Sequence, residues 1–287
     1  MNPIASHILP DHEGKLRLAP QFFIIGERKC GSSSLFRYLA AHPLVLPGVR
    51  KEPNFFGRPQ AVHRADFGKY LAQFPLAEEE EEATLIWPEL DESGQLYEVP
   101  VTKARQAGIR YLTGEASANT FCDADPALVK QFLPDVRLIV ILRDPVERAF
   151  SHHRMLLRFQ EEGRELGRKI KSFEEDIEQE MMAEGAGECL APGKYIDNLQ
   201  RWDAVFPASQ RLVLFASELD EHPQRVMDAV LAHIGLPAWT YPPEDLRVRY
   251  NVAPASSCPA HLRTRLRAFY EPSNARLATY LGQELPW

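Results

Sequence analysis

Residues 22–35 read FFIIGERKCGSSSL and place a lysine, a glycine and three hydroxyls where a short apolar run gives way to helical spacing at Leu35, Leu39 and His42. A strand ending near Gly26 therefore feeds a helix that opens at Gly31 to Ser34. Such a junction points several backbone N–H groups into one concavity at the positive end of the helix dipole. The hydroxyls of Ser32, Ser33 and Ser34 add donors, and the chemistry that suits them is the holding of a phosphate-like anion.

Gly26 and Gly31 have the separation of the glycines in the phosphate-loop pattern GxxxxGK[ST], but Ser32 stands where that pattern has Lys. The lysine is Lys29, inside the loop. A nucleoside triphosphatase or kinase needs its Lys beyond the second glycine, followed by Ser or Thr to hold magnesium. Lys29 instead lies beside the phosphate nearest the loop, where a cation neutralises charge on a leaving-group oxygen without a metal. A Gly-Ser turn with no ligand, or a nucleotide-binding module without catalysis, also fits these residues taken alone. Cys30 sits where thiol pKa values fall and is a candidate nucleophile, with no ordered His and Asp partners recognisable around it.

Three other places carry groups that can meet that anion. Arg50 to Phe56, RKEPNFF, follows a short strand at Leu44 to Leu46, and its aromatics fix a turn from which Glu52 points at the crevice as a general base. Glu115 closes the strand Tyr111 to Glu115 and points the same way. Arg137 to Leu142, RLIVIL, reads as a central parallel strand. It runs into Arg143, which can fork onto a phosphate, and then into Asp144, Pro145 and Glu147, a strong helix start with Ser151 two turns in.

These groups need a scaffold of strands joined by helices. The 287 residues, 45% hydrophobic and 25% charged, have an ordinary globular composition. Residues 1–20 read as an extended arm without a signal peptide or anchor, and 21–287 as a single domain with insertions around 57–110 and 160–192. In the first insertion only Phe67 to Phe74 is expected to be helical, and the acidic run Glu78 to Glu82 is a solvated loop. Arg164 to Glu184 is expected to be one or two solvated helices, and the end of the chain two helices, around Leu262 to Tyr270 and Ala275 to Leu281. The expected fold is α/β with three layers: a mainly parallel sheet flanked by helices, with the site at the strand carboxyl ends. A net charge of -7 gives no field favouring nucleic acid, and no apolar run is long enough to span a bilayer. Cys30, Cys122, Cys189 and Cys258 contain no CxxC pair, which indicates neither zinc nor a disulfide framework and suits a reducing cytoplasm.

Taken together, KCGSS after FFIIG, His42-Pro43, KEPNFF, LIVILRDPVERAFSHH, Gly193-x-Tyr195, Trp202 and Glu271-Pro272-x-Asn274 are similar to the sulfotransferases that use 3'-phosphoadenosine 5'-phosphosulfate (PAPS). The likeness is to the heparan sulfate type and its bacterial relatives, and it leaves out 57–110. It implies that Cys30, Gly31, Ser32, Ser33 and Ser34 hold the 5'-phosphosulfate end while Arg143 and Ser151 hold the 3'-phosphate. Lys29 then stabilises the bridging oxygen, Glu52 takes the acceptor's proton, and no metal takes part. The resemblance places Asn54 and Glu115 at the acceptor side, and Arg249 and Tyr250 in a loop that clamps the donor. His63 and His153 are fallback bases, because other sulfotransferases use His. Ala116 and Asn54 depart from the Lys and His frequent at those positions. A sugar, lipid or carrier-bound polyketide hydroxyl is the expected acceptor.

Overall fold

The computed structural model describes residues 8–58, 60–77, 83–90, 96–106, 108–248 and 258–287. Arg249, Tyr250 and the acidic run at 78–82 lie outside these residues.

β1 (Ile8–Pro10) and β2 (Leu16–Leu18) form an antiparallel hairpin, which corrects the extended arm expected for residues 1–20. The turn closes on Asp11, whose side chain accepts from Glu13 N and Lys15 N and from Arg17 Nε at 2.8 Å. Arg17 also donates to Phe74 O and Leu18 N to Pro75 O, so the hairpin is fastened to the body of the protein.

β3 (Phe22–Ile24) is wholly buried and leads through the loop into α1 (Ser32–Ala41). The expected strand at Leu44 to Leu46 is reduced to a parallel bridge between Val45 and Leu112. The stretch 57–110 is far more regular than its sequence suggests: α2 (Gln60–Leu71) precedes a long antiparallel pair, β4 (Ala83–Leu90) and β5 (Leu96–Lys103). Pro88 and Pro100 lie within that pair, and a two-stranded ribbon tolerates them because each strand has an unpaired edge that needs no N–H donor.

β6 (Gly114–Glu115) follows, then α3 (Thr120–Asp123) and α4 (Pro126–Phe132), the latter capped by Asp125 accepting from Ala127 N. β7 (Arg137–Leu142) leads into α5 (Pro145–Glu161) through an Asp144 cap that accepts from Val146 N at 2.8 Å. Glu147 does not complete a capping box; it pairs with Arg263 at 2.6 Å. α6 (Phe173–Met182), α7 (Tyr195–Asp203), β8 (Arg211–Phe215), α8 (Ala216–Glu221), α9 (Pro223–Ile234) and α10 (Pro243–Arg247) come next. α6 is not a solvated helix, because Phe173 and Ile177 are buried with Leu266 and Tyr270. α11 (Ala260–Leu281) is one helix where two were expected. Burial of Leu262, Leu266, Tyr270 and Leu277 holds it together across Pro272, which forgoes one backbone bond.

The central sheet has the order β6-β3-β7-β8, and every pairing in it is parallel. β7 is therefore central, as its apolar run requires. Leu138 to Leu142 are fully buried, and each such side chain contributes roughly 1.5–3 kcal/mol. Because all four strands point the same way, the loops after Ile24, Glu115, Leu142 and Phe215 emerge at one edge. Gly26 is what lets the first of them pass β7: a Cβ there would lie 2.5 Å from the Ile141 side chain and 2.8 Å from its backbone N.

Candidate active site

At that edge the loop after β3 turns through Lys29, at φ 70°, and Gly31, at φ 101°. Gly31 is the N-cap of α1 and supplies no side chain, so the first turn of the helix opens straight onto the loop. Ser32 and Ser34 are buried beside it and Ser33 is half-buried. Cys30 is fully buried with its sulfur 3.6 Å from Tyr195 Oη, and burial pushes its thiol up to about 12. It is part of the loop's floor, which overturns its reading as a nucleophile.

Four other cations act on Lys29. Burial first, and then the charges of Arg158, Arg143, Lys51 and Arg154, hold its ammonium down at about 8. Among the described residues no carboxylate lies within ion-pair distance of it. Arg143, half-buried at the end of β7, donates from Nη1 to Lys29 O at 3.1 Å, and Tyr195 Oη donates to Arg143 O at 2.9 Å. Ser151, Arg154 and Arg158 share one face of α5 by their spacing. The loop is thus ringed by positive charge.

Glu52 lies next to the loop's ring of charge through Lys51, one of the cations that act on Lys29. Its side chain is 40% exposed and pairs with Lys51. The turn that presents it is held on every side: Ala116 N donates to Lys51 O at 3.0 Å, Asn54 N to Ser117 Oγ at 3.1 Å and Asn54 Nδ2 to Glu52 O at 3.2 Å. Asn54 itself is left-handed, at φ 49°. Phe55 stacks on Tyr70 with ring centres 4.6 Å apart, so the aromatics anchor the turn as their pattern predicts.

The site therefore joins a cation-ringed loop at a helix N-terminus to an accessible carboxylate on a neighbouring turn. The profile of the Sulfotransferase family matches residues 20–241. The chain belongs to that family. Carbohydrate sulfotransferase 15 of Homo sapiens is 28% identical over 94% of this chain and 54% of its own length. The bifunctional heparan sulfate N-deacetylase/N-sulfotransferase 3 of Homo sapiens is 28% identical over 77% of this chain and 23% of its own. The chain therefore spans about half the length of the first relative and about a quarter of the second. The crystal structure of a sulfotransferase from Alicyclobacillus acidocaldarius superposes with a TM-score of 0.63 at 27% identity, covering 93% of this chain and 97% of that one.

Within this member of the family two sequence expectations are corrected. Glu115 is fully buried, accepts from Tyr70 Oη at 2.5 Å and from Ser117 Oγ, and shows no surface to an acceptor. Burial pushes its carboxyl up to about 7. His153 is also buried, with Nε2 3.1 Å from Asp176 Oδ2 and its ring against Phe173, and burial pulls its pKa down. It belongs to the α5–α6 packing and not to the crevice. His63 lies on α2, and its side chain is outside the described residues, as are Arg249 and Tyr250.

Arg154, Arg158, Tyr70 and Ser117 are site residues that sequence reasoning missed. For the two arginines the signal was their place three and seven residues beyond Ser151; for Ser117 it was its place two residues after Glu115. Among the described residues no group of three His, Cys, Asp or Glu side chains could hold a metal ion, and no helix is long and apolar enough to cross a membrane.

Proposed function

We propose that this chain moves the sulfuryl group of PAPS to an acceptor hydroxyl, with a carbohydrate as the acceptor class. The observation that carries the reading is an uncompensated Lys29, acted on by Arg143, Lys51, Arg154 and Arg158, with an accessible Glu52 paired to one of those cations, Lys51. A polyanionic donor suits the loop and a neutral hydroxyl suits Glu52. The names of the relatives, which speak of carbohydrate and heparan sulfate, support the acceptor class.

The residues present fit the donor. Backbone N–H groups of Cys30 to Ser34 and the serine hydroxyls would hold the 5'-phosphosulfate, and Arg143 with Ser151 the 3'-phosphate. In the transfer the acceptor oxygen bonds to sulfur as the bond to the bridging oxygen breaks, and the leaving electron pair stays on 3'-phosphoadenosine 5'-phosphate (PAP). Lys29 neutralises that oxygen, and Glu52 takes the acceptor's proton. The net charge of -7 leaves room for an acidic glycan, since the cations gather locally around the loop.

Calorimetric titration with PAP, with ADP and ATP plus magnesium as controls, tests the donor, and transfer of radiolabelled sulfate from PAPS tests the reaction. Binding that requires the 3'-phosphate is the expected result. Glu52→Gln is expected to bind PAP as the parent does and to lose turnover by about a hundredfold or more. Preference for ATP with magnesium, or full activity of Glu52→Gln, would overturn the reading.

A further inference from the structure

The carboxylate of Glu115 is sealed from solvent yet has no cation for a partner among the described residues. A buried carboxylate is costly unless something is gained from it. What surrounds it is specific. Tyr70, from α2, donates to one oxygen and Ser117, from the loop after β6, donates to the other. Ser117 Oγ uses a lone pair to accept from Asn54 N at 3.1 Å. Asn54 in turn donates from Nδ2 to the carbonyl of Glu52. One continuous chain of hydrogen bonds therefore joins Tyr70, Glu115, Ser117, Asn54 and Glu52.

Direction matters in this chain. While both Glu115 oxygens are acceptors, the Ser117 proton points at Glu115 and its lone pair is presented to Asn54 N. If Glu115 takes up a proton, one of its oxygens becomes a donor, and Ser117 or Tyr70 must turn. Where Ser117 turns, its Oγ must accept from Glu115 as well as from Asn54 N, and the geometry that orients the left-handed Asn54 turn loosens. We infer that Glu115 is a positioning residue for Glu52, and that its ionised form, acting through Ser117 and Asn54, holds the base in the crevice. The inference rests on Glu52 being the base.

The groups facing Glu115 are Tyr70 from α2, Ser117 from its own loop, and Glu52 from the turn, with Lys51 paired to Glu52. Burial is the main reason its carboxyl is pushed up to about 7, and the Glu52 charge adds to it. Activity that needs ionised Glu115 therefore rises as pH climbs through about 7.

The test uses cleavage of PAPS with water as the acceptor, which needs no identified glycan, together with PAP calorimetry. Glu115→Gln, a neutral isostere, and Ser117→Ala are each expected to lower the turnover number about tenfold, as loss of a hydrogen bond to a charged group predicts, while PAP affinity stays as in the parent. The inflection near neutral pH should vanish in Glu115→Gln. In protein labelled with carboxyl-13C glutamate, a resonance titrating near neutrality should be missing from the same variant. Ser117→Ala serves if Glu115→Gln does not fold. Unchanged turnover in these variants, or an inflection that survives Glu115→Gln, refutes the inference. If Glu52→Gln is inactive while Glu115→Gln behaves as the parent, only the positioning role falls; if Glu52→Gln is active, the reading of the base falls instead.

Discussion

Replacing Lys29 by Met removes the charge and keeps an unbranched side chain of similar length at the same left-handed position. Burial and the neighbouring Arg158, Arg143, Lys51 and Arg154 bring this lysine from an ordinary 10.5 down to about 8. That difference corresponds to roughly 3 kcal/mol of disfavoured charge, and solvent at the half-buried site screens it to about 1–2 kcal/mol. The sign follows from linkage: a lysine whose folded pKa is depressed opposes folding at every pH below about 8, and the penalty fades as pH rises from there towards 10.5. Lys29→Met is therefore expected to melt about 3–6 °C higher than the parent at pH 7, with the gap closing by about pH 10. It should also lose sulfuryl transfer. The parent should take up protons when it binds PAP near pH 8, because the phosphates restore the ammonium, and calorimetry in buffers of different ionisation enthalpy reads that uptake. A variant that melts below the parent at neutral pH, or a gap that does not depend on pH, refutes the reasoning.

Arg143→Ala removes a guanidinium and its bond to Lys29 O, so PAP affinity should fall about ten- to a hundredfold while ADP binding changes less; equal losses for the two nucleotides would deny Arg143 its 3'-phosphate role. His153→Gln breaks the buried contact to Asp176 and should cost about 1–3 kcal/mol in denaturant unfolding. Its folded fraction should keep the parental turnover number, and a loss of turnover without a loss of stability would return His153 to the list of bases.

The parts of this protein legible in its sequence are those whose physics is local. β3 and β7 announce themselves as apolar runs because both faces are buried, and α5 because Asp144 and Pro145 are a cap and a first-turn residue whatever surrounds them. Lys29, Gly31 and the serines are legible for the same reason, since a loop between strand and helix has few conformations. Arg154 and Arg158 read as an ordinary solvated face; only the crossing of α5 over the loop brings them to Lys29. The apolar residues of α2 make no regular stripe, so only its end, within the expected Phe67 to Phe74, is legible as helix, and the Tyr70 hydroxyl, 45 residues before its acceptor, is not legible as a donor to Glu115. Glu115 stands where expected, at a strand end, but in a two-residue strand nothing in the pattern says which face its side chain takes. The ribbon β4–β5 is hidden by Pro88 and Pro100.

The loop after β3 gathers cations while Glu52 and Glu115 gather beside it, with Lys51 joining the two groups, and this division of charge is the strongest link between fold and chemistry. On the loop side, cations crowd one another with burial weakening their hydration, an arrangement that opposes folding until an anion enters. Beside it two carboxylates act on each other, Glu115 at the end of β6 behind hydroxyl donors and Glu52 exposed on its turn and paired with Lys51. Repulsion within each group costs stability, and on the proposed function a ligand that is anionic where it meets Lys29 and yields a proton where it meets Glu52 would relieve it. The parallel register of β6, β3 and β7 delivers the loops bearing Ser117, Lys29 and Arg143 to one edge, and the bond from Asn54 to Ser117 ties the turn that bears Glu52 to that edge.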